Sequence, residues 1–177
     1  MHRLFVAIRP PAAIRAHLLE MMGGVAGARW QDDSQLHITL RFVGEVDGRV
    51  ADDVAAALGG LRHPPLALTL AGVGLFERKG RTEALWAGIA PQERITHLQA
   101  KVERALVRIG LPPEGRAYLP HITLARFGRS GGMADRFLAA HAGLSGPAFA
   151  VDAFYLFQSH LGHGGSRYEA IQRYPLA

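Results

Sequence analysis

The tetrapeptide His-Ile-Thr-Leu occurs twice in this chain of 177 residues, starting at His37 and at His121, 84 positions apart. The segments around the two copies also correspond. RLFVAIRPP, a helical stretch, LHITLRFVG, a second helical stretch and LALTLAGVGLF run parallel to ALWAGIAPQ, a helical stretch, LPHITLARFG, a helical stretch and FAVDAFYLF. Leu4 and Leu85 are 81 residues apart, as are Leu75-Phe76 and Leu156-Phe157. A self-similar period of this length is the mark of a unit used twice. The unit reads β-α-β-α-β. The predicted fold is therefore α+β, one domain over residues 1–177. Its repeats of about 1–81 and 82–177 form two pseudo-symmetric lobes whose antiparallel sheets line a central cleft.

The individual elements follow from apolar spacing. LFVAI at 4–8 is a short apolar run bounded by Arg9-Pro10-Pro11 and reads as a buried strand. Pro11 opens a helix with Ile14, Leu18, Leu19 and Met22 on one face, and Gly23-Gly24 ends it. Strands are predicted at 36–44, 66–76, 82–89, 117–128, 149–157 and 166–174, with a turn through Lys79-Gly80 between the second and third of these. Helices are predicted at 47–61, 91–110 and 133–143. The helix at 91–110 carries the clearest stripe: Ile95, Leu98, Val102 and Leu106.

On a strand, side chains alternate between faces. His37 and Thr39 share one face, and Leu36, Ile38 and Leu40 take the other, towards a core. His121 and Thr123 repeat the arrangement against Ile122 and Leu124. A pseudo-two-fold axis then brings two imidazoles and two hydroxyls to opposite sides of one cleft. A neutral imidazole removes a proton from a nucleophile while a protonated one supplies a leaving group, and an ordinary histidine pKa near 6.5 allows both forms at neutral pH. Threonine hydroxyls suit the non-bridging oxygens of a phosphoryl group. The constellation suits phosphodiester cleavage with no metal and no cofactor. A lone histidine on a strand is more often structural, but packing alone gives no reason to keep two polar residues on the same face in both halves.

These residues carry a resemblance. The chain is similar to the two-histidine phosphodiesterase superfamily, with its paired His-x-Thr motifs. Within it, the chain resembles the bacterial and archaeal RNA 2′,3′-cyclic phosphodiesterase family, historically named 2′-5′ RNA ligase. The likeness extends through RLFVAI, RWQDDSQLHITLRFVGEV, YLPHITLARFG and SRYEAIQRYPL. It implies a bilobal α+β fold and hydrolysis of a terminal 2′,3′-cyclic phosphate to a 2′-phosphate. It assigns His37 as general acid and His121 as general base, with Thr39 and Thr123 on the phosphate. It also implies a phosphate contact from Arg126. Strict alternation puts Arg126 on the face opposite His121, and Arg41 on the face of His37 and Thr39. A bulge that re-aims Arg126, a contact from the rim, or Arg41 in its place are all open readings. The alternatives for function are the reverse reaction, joining a cyclic end to a 5′-hydroxyl, and a non-catalytic RNA-end binder.

Other features are weaker. The formal charge of +5 favours anionic partners, here RNA ends or cyclic nucleotides, although the basic residues are spread along the chain. There is no cysteine, which excludes disulfides and thiolate zinc sites and suits a cytoplasmic protein. No apolar run is long enough to span a membrane, the N-terminal stretch is too short for a signal peptide, and a monomer is expected. His160 and His163 read as part of an exposed Gly-rich loop without a nearby carboxylate. Phe5, Trp30 and Tyr118 are the candidates for stacking on a base, each weighed against a place in the core.

Overall fold

A computed structural model describes residues 1–177. The chain order is β1 (His2–Ile8), α1 (Ala12–Met21), β2 (Ala28–Trp30), β3 (Ile38–Val46), α2 (Gly48–Gly59), β4 (Leu66–Arg78) and β5 (Arg81–Ala90). It continues through α3 (Gln92–Arg108), β6 (His121–Phe127), α4 (Asp135–His141), β7 (Phe149–Val151), β8 (Ala153–Gly162) and β9 (Gly165–Pro175). A single 3₁₀ turn, Asp33–Gln35, precedes β3. The α+β class expected from the sequence is the one observed.

All strand pairings are antiparallel, in the order β7-β4-β5-β6-β3-β1-β8-β9, with β2 attached to β6. Read outward from the middle, the order matches repeat to repeat: β6 with β3, β5 with β1, β4 with β8. The two motif strands adjoin at the centre, yet only Ile38 and Ile122 pair between them. The two motif strands therefore part beyond this pair, and the sheet on either side draws strands from both repeats: β4 pairs with β5, and β8 with β1. β7 and β8 are separated by Asp152 alone, although they sit near opposite ends of the strand order. The sheet must curl on itself to bring them together. Residues 149–157, expected as one strand, accordingly divide at exposed Asp152 into two strands that join different neighbours, β4 and β1.

The core lies between the sheet and the helices. Leu36, Ile38, Ile122 and Leu124 are fully buried, as the alternation requires. The stripe on α3 is buried throughout: Ile95, Leu98, Val102 and Leu106. Each such side chain contributes about 1.5–3 kcal/mol relative to exposure. β2 was not expected, because ARW opens a polar stretch, ARWQDDSQ; pairing with β6 supplies what local propensity does not. β6 begins at His121, later than the predicted 117, where Pro120 removes a backbone donor. HLGHGG is not simply a loop. His160 lies on β8 opposite Arg167, and its Nε2 is 3.1 Å from Glu169 Oε1, so a carboxylate does stand beside it across the hairpin. No three metal-binding side chains gather there or elsewhere. No helix is long and apolar enough to cross a membrane.

Candidate active site

His37, Thr39, His121, Thr123 and Arg126 line one cleft of about 900 Å³ between the halves. The two histidines are held in the same way. His37 Nδ1 is 2.7 Å from the Gln35 carbonyl, and His121 Nδ1 is 2.7 Å from the Leu119 carbonyl. A carbonyl only accepts, so Nδ1 carries the hydrogen in both rings, and Nε2 is left as the atom that exchanges protons. In neutral His37, Nε2 accepts from the Thr39 hydroxyl at 2.9 Å.

The Gln35 carbonyl is itself fixed. The 3₁₀ turn is closed by a capping box: Gln35 N donates to Asp32 Oδ1 and Asp32 N donates to Gln35 Oε1. Gln35 Nε2 donates to the Ser166 carbonyl on β9. Tyr118 ties the halves together, donating from its hydroxyl to the Thr39 carbonyl at 2.8 Å.

Aromatic rings back each histidine in a repeated pattern. Phe5 lies 5.0 Å from His37 and is stacked on Phe157. Trp86 lies 6.1 Å from His121 and packs on Phe76, which meets His121 edge-on at 5.0 Å. Phe5 corresponds to Trp86 and Phe157 to Phe76 at the 81-residue offset. Gly74 makes room for the indole: a Cβ there would come within 2.2 Å of the Trp86 ring. Only the His37 side has a further ring, Tyr168 from β9, edge-on at 5.3 Å.

A pair of bulges changes the faces that strict alternation gives Arg126 and Arg41. In the β5–β6 pairing, Trp86 faces Thr123 and Leu85 faces Ala125, so Leu124 is skipped. In the β1–β3 pairing, Ala7 faces Thr39 and Val6 faces Arg41, so Leu40 is skipped. One extra residue reverses alternation beyond it. Arg126 is thereby returned to the face of His121 and Thr123. Arg41 borders the cleft but is 7% exposed and engaged elsewhere, with Nε donating to Glu103 Oε2 on α3 at 2.7 Å and the guanidinium also donating to the Pro112 carbonyl. The residue that takes the cleft face in the first half is Phe42, 57% exposed and 5.9 Å from Phe5. Phe42 and Arg126 are equivalents, each five residues beyond a motif histidine.

Phe42 and Tyr168 are the site residues that the sequence reading missed, along with the Phe76–Trp86 pair. The offset between repeats held the signal, since it maps Phe5 onto Trp86. Of the expected stacking candidates, Phe5 and Tyr118 line the cleft and Trp30 does not. Phe5 is 3% exposed behind His37, Trp30 packs against Phe137, and Tyr118 spends its hydroxyl on Thr39.

Burial lowers the proton affinity of both imidazoles. His37 falls to about 4, chiefly through desolvation, with added repulsion from Arg126, His121 and Arg9. His121 is lowered by desolvation and by Arg126, against a partial rise from the Leu119 carbonyl. Both rings are neutral in the free protein at pH 7, and an anion between them would raise both.

Paired imidazoles and paired hydroxyls share a cleft with arginines, Arg126 among them, an arrangement suited to acid–base chemistry on an anionic ester. The chain belongs to the 2′-5′ RNA ligase superfamily, whose family profile matches residues 8–163. It is 29% identical to the RNA 2′,3′-cyclic phosphodiesterase of Escherichia coli K12 over 179 residues, 98% of this chain and 96% of that one. It is 36% identical to the protein of the same name from Aeropyrum pernix, in a match covering 54% of each chain. The crystal structure of E. coli LigT complexed with 3′-AMP superposes with a TM-score of 0.80 at 27% identity, covering 99% of this chain and 98% of that chain.

Proposed function

We propose that this chain hydrolyses the 2′,3′-cyclic phosphate at an RNA end to a 2′-phosphomonoester, with His37 as general acid and His121 as general base. The single observation that carries the reading is the pair of histidines held alike through Nδ1, each leaving Nε2 as the atom that exchanges protons, lining one cleft with Arg126. Membership of the superfamily and the names of its relatives agree with it.

In the reaction, His121 Nε2 takes a proton from water as the water oxygen bonds to phosphorus. The bond from phosphorus to O3′ breaks, and His37 Nε2 supplies the proton that O3′ needs. Thr39, Thr123 and Arg126 hold the non-bridging oxygens, where the charge resides. Proton exchange with solvent resets the two rings.

The division of labour has a physical argument. Displacement at phosphorus is in line, so water enters opposite O3′, and the nucleoside lies on the acid's side. The cleft is nearly two-fold symmetric, and Phe42 against Arg126 breaks that symmetry. An exposed aromatic face beside His37 offers the base a stacking surface, worth about 1–3 kcal/mol. A base on Phe42 brings O3′ to His37.

The test is incubation of a 2′,3′-cyclic nucleotide with the protein in EDTA, followed by identification of the product. A 2′-monophosphate is expected, with the rate lowered on the order of 10²- to 10⁴-fold in His37→Ala and in His121→Ala. A 3′-monophosphate, or full activity in either variant, contradicts the reading.

A further inference from the structure

Beside the cleft lies a second cavity of about 440 Å³ at the tip of the β4–β5 hairpin. Four cationic side chains line it: Arg78, Lys79, Arg81 and Arg129. All four are exposed, and none forms an ion pair. The arrangement works against local stability. Arg78 and Arg81 are directly opposite in the hairpin register, where like charges repel. Lys79 occupies the turn with φ of 53°, the one non-glycine residue in the left-handed region, where asparagine or glycine is the usual choice. Arg81 additionally donates to the Arg129 carbonyl at 2.6 Å, fixing the loop after β6 against the hairpin. A strained turn and a repelling pair that gather unpaired cations are what an anion-binding surface requires, and packing gives no other reason for them.

The groove continues from the active site. Glu83 lines both cavities, and Arg129 follows Arg126 by three residues, roughly 10 Å or less along the chain. We propose that this groove binds the sugar–phosphate backbone of the RNA whose cyclic end occupies the cleft, the strand crossing the cleft from the nucleoside's place beside Phe42, so that an oligonucleotide is a better substrate than a mononucleotide. The proposal rests on the phosphodiesterase reading above. Cations of this kind position a strand without reading its bases, so the groove is sequence-independent. Glu83, at the junction, repels a passing phosphodiester.

The experiment compares kcat/KM on a 2′,3′-cyclic mononucleotide with that on a short oligonucleotide ending in the same cyclic phosphate, across a range of salt concentrations. The wild-type protein is expected to prefer the oligonucleotide, with a preference that falls as salt rises. Arg78→Gln combined with Lys79→Gly removes two charges, leaves the Arg81 tie intact and suits the turn. Each phosphate contact to a single strand adds about 0.7 to the salt slope, so the double variant should flatten the slope by about 1.4 and leave the mononucleotide rate unchanged. Glu83→Gln should act in the opposite sense, increasing the preference for the oligonucleotide. Equal rates on both substrates in the wild type, or equal losses on both in the double variant, overturn the proposal. So does an effect confined to joining with a separate 5′-hydroxyl strand, which would give the groove to a second RNA. If the mononucleotide itself is not hydrolysed, it is the phosphodiesterase reading that fails.

Discussion

At the scale of single residues, proton affinity governs the chemistry. With His37 as acid and His121 as base, as proposed, the productive free enzyme has His121 neutral and His37 charged, and the population of that form peaks midway between the two pKa values, whichever is lower. Burial holds both below the ordinary 6.5, His37 at about 4. The optimum of kcat/KM, which reports the free enzyme, is therefore expected below pH 6.5. Substrate brings a negative charge between the rings and raises both, so the kcat optimum should lie at higher pH. Coincident optima at or above 6.5 in the two profiles would show that the rings are not desolvated as described. The histidines and threonines were legible in the sequence because their repetition has no packing explanation. Their depressed proton affinities were not, since desolvation depends on the aromatic rings that tertiary structure places around them. Nor were the carbonyls of Gln35 and Leu119, which fix the tautomer through backbone geometry alone.

At the scale of elements, two bulges decide which arginine shares the face of its motif histidine. Alternation read from the sequence assigns Arg41 to the cleft, and a skipped residue in each motif strand inverts the assignment. No residue type in LHITLRF or LPHITLARF marks the bulge; it exists in the pairing with the neighbouring strand. The division of 149–157 at Asp152 was hidden for the same reason, because both parts have strand character and only their partners differ. The bulges have a mutational consequence. Arg126→Met should raise KM for a cyclic nucleotide about tenfold to a hundredfold, the value of about 1.5–3 kcal/mol for a hydrogen bond to a charged group. Arg41→Met should leave KM within a few-fold of wild type and lower the melting temperature, because it strands Glu103 on α3. The reverse pattern, measured by steady-state kinetics and thermal unfolding, would return Arg41 to the cleft and remove the bulges from the account.

At the scale of the whole molecule, a repeated β-α-β-α-β unit gives a cleft with near two-fold symmetry, and function depends on where the symmetry is broken. The α+β class and the facing motifs could be read from the offset between repeats. The breaks at Phe42 against Arg126, and at Tyr168 with no counterpart, became visible only once the strands were paired. In the proposed reaction they give the substrate one orientation and the histidines different tasks. That assignment is tested most directly with a diester whose leaving group is already a stable anion, such as a nitrophenyl phosphodiester, set beside a 2′,3′-cyclic nucleotide. A nitrophenolate needs little protonation as it departs. His37→Ala should lose far less activity on it than on the cyclic nucleotide, while His121→Ala loses as much on both. A loss in His37→Ala that is equal on the two substrates, with His121→Ala the variant spared, would contradict the assignment of acid and base.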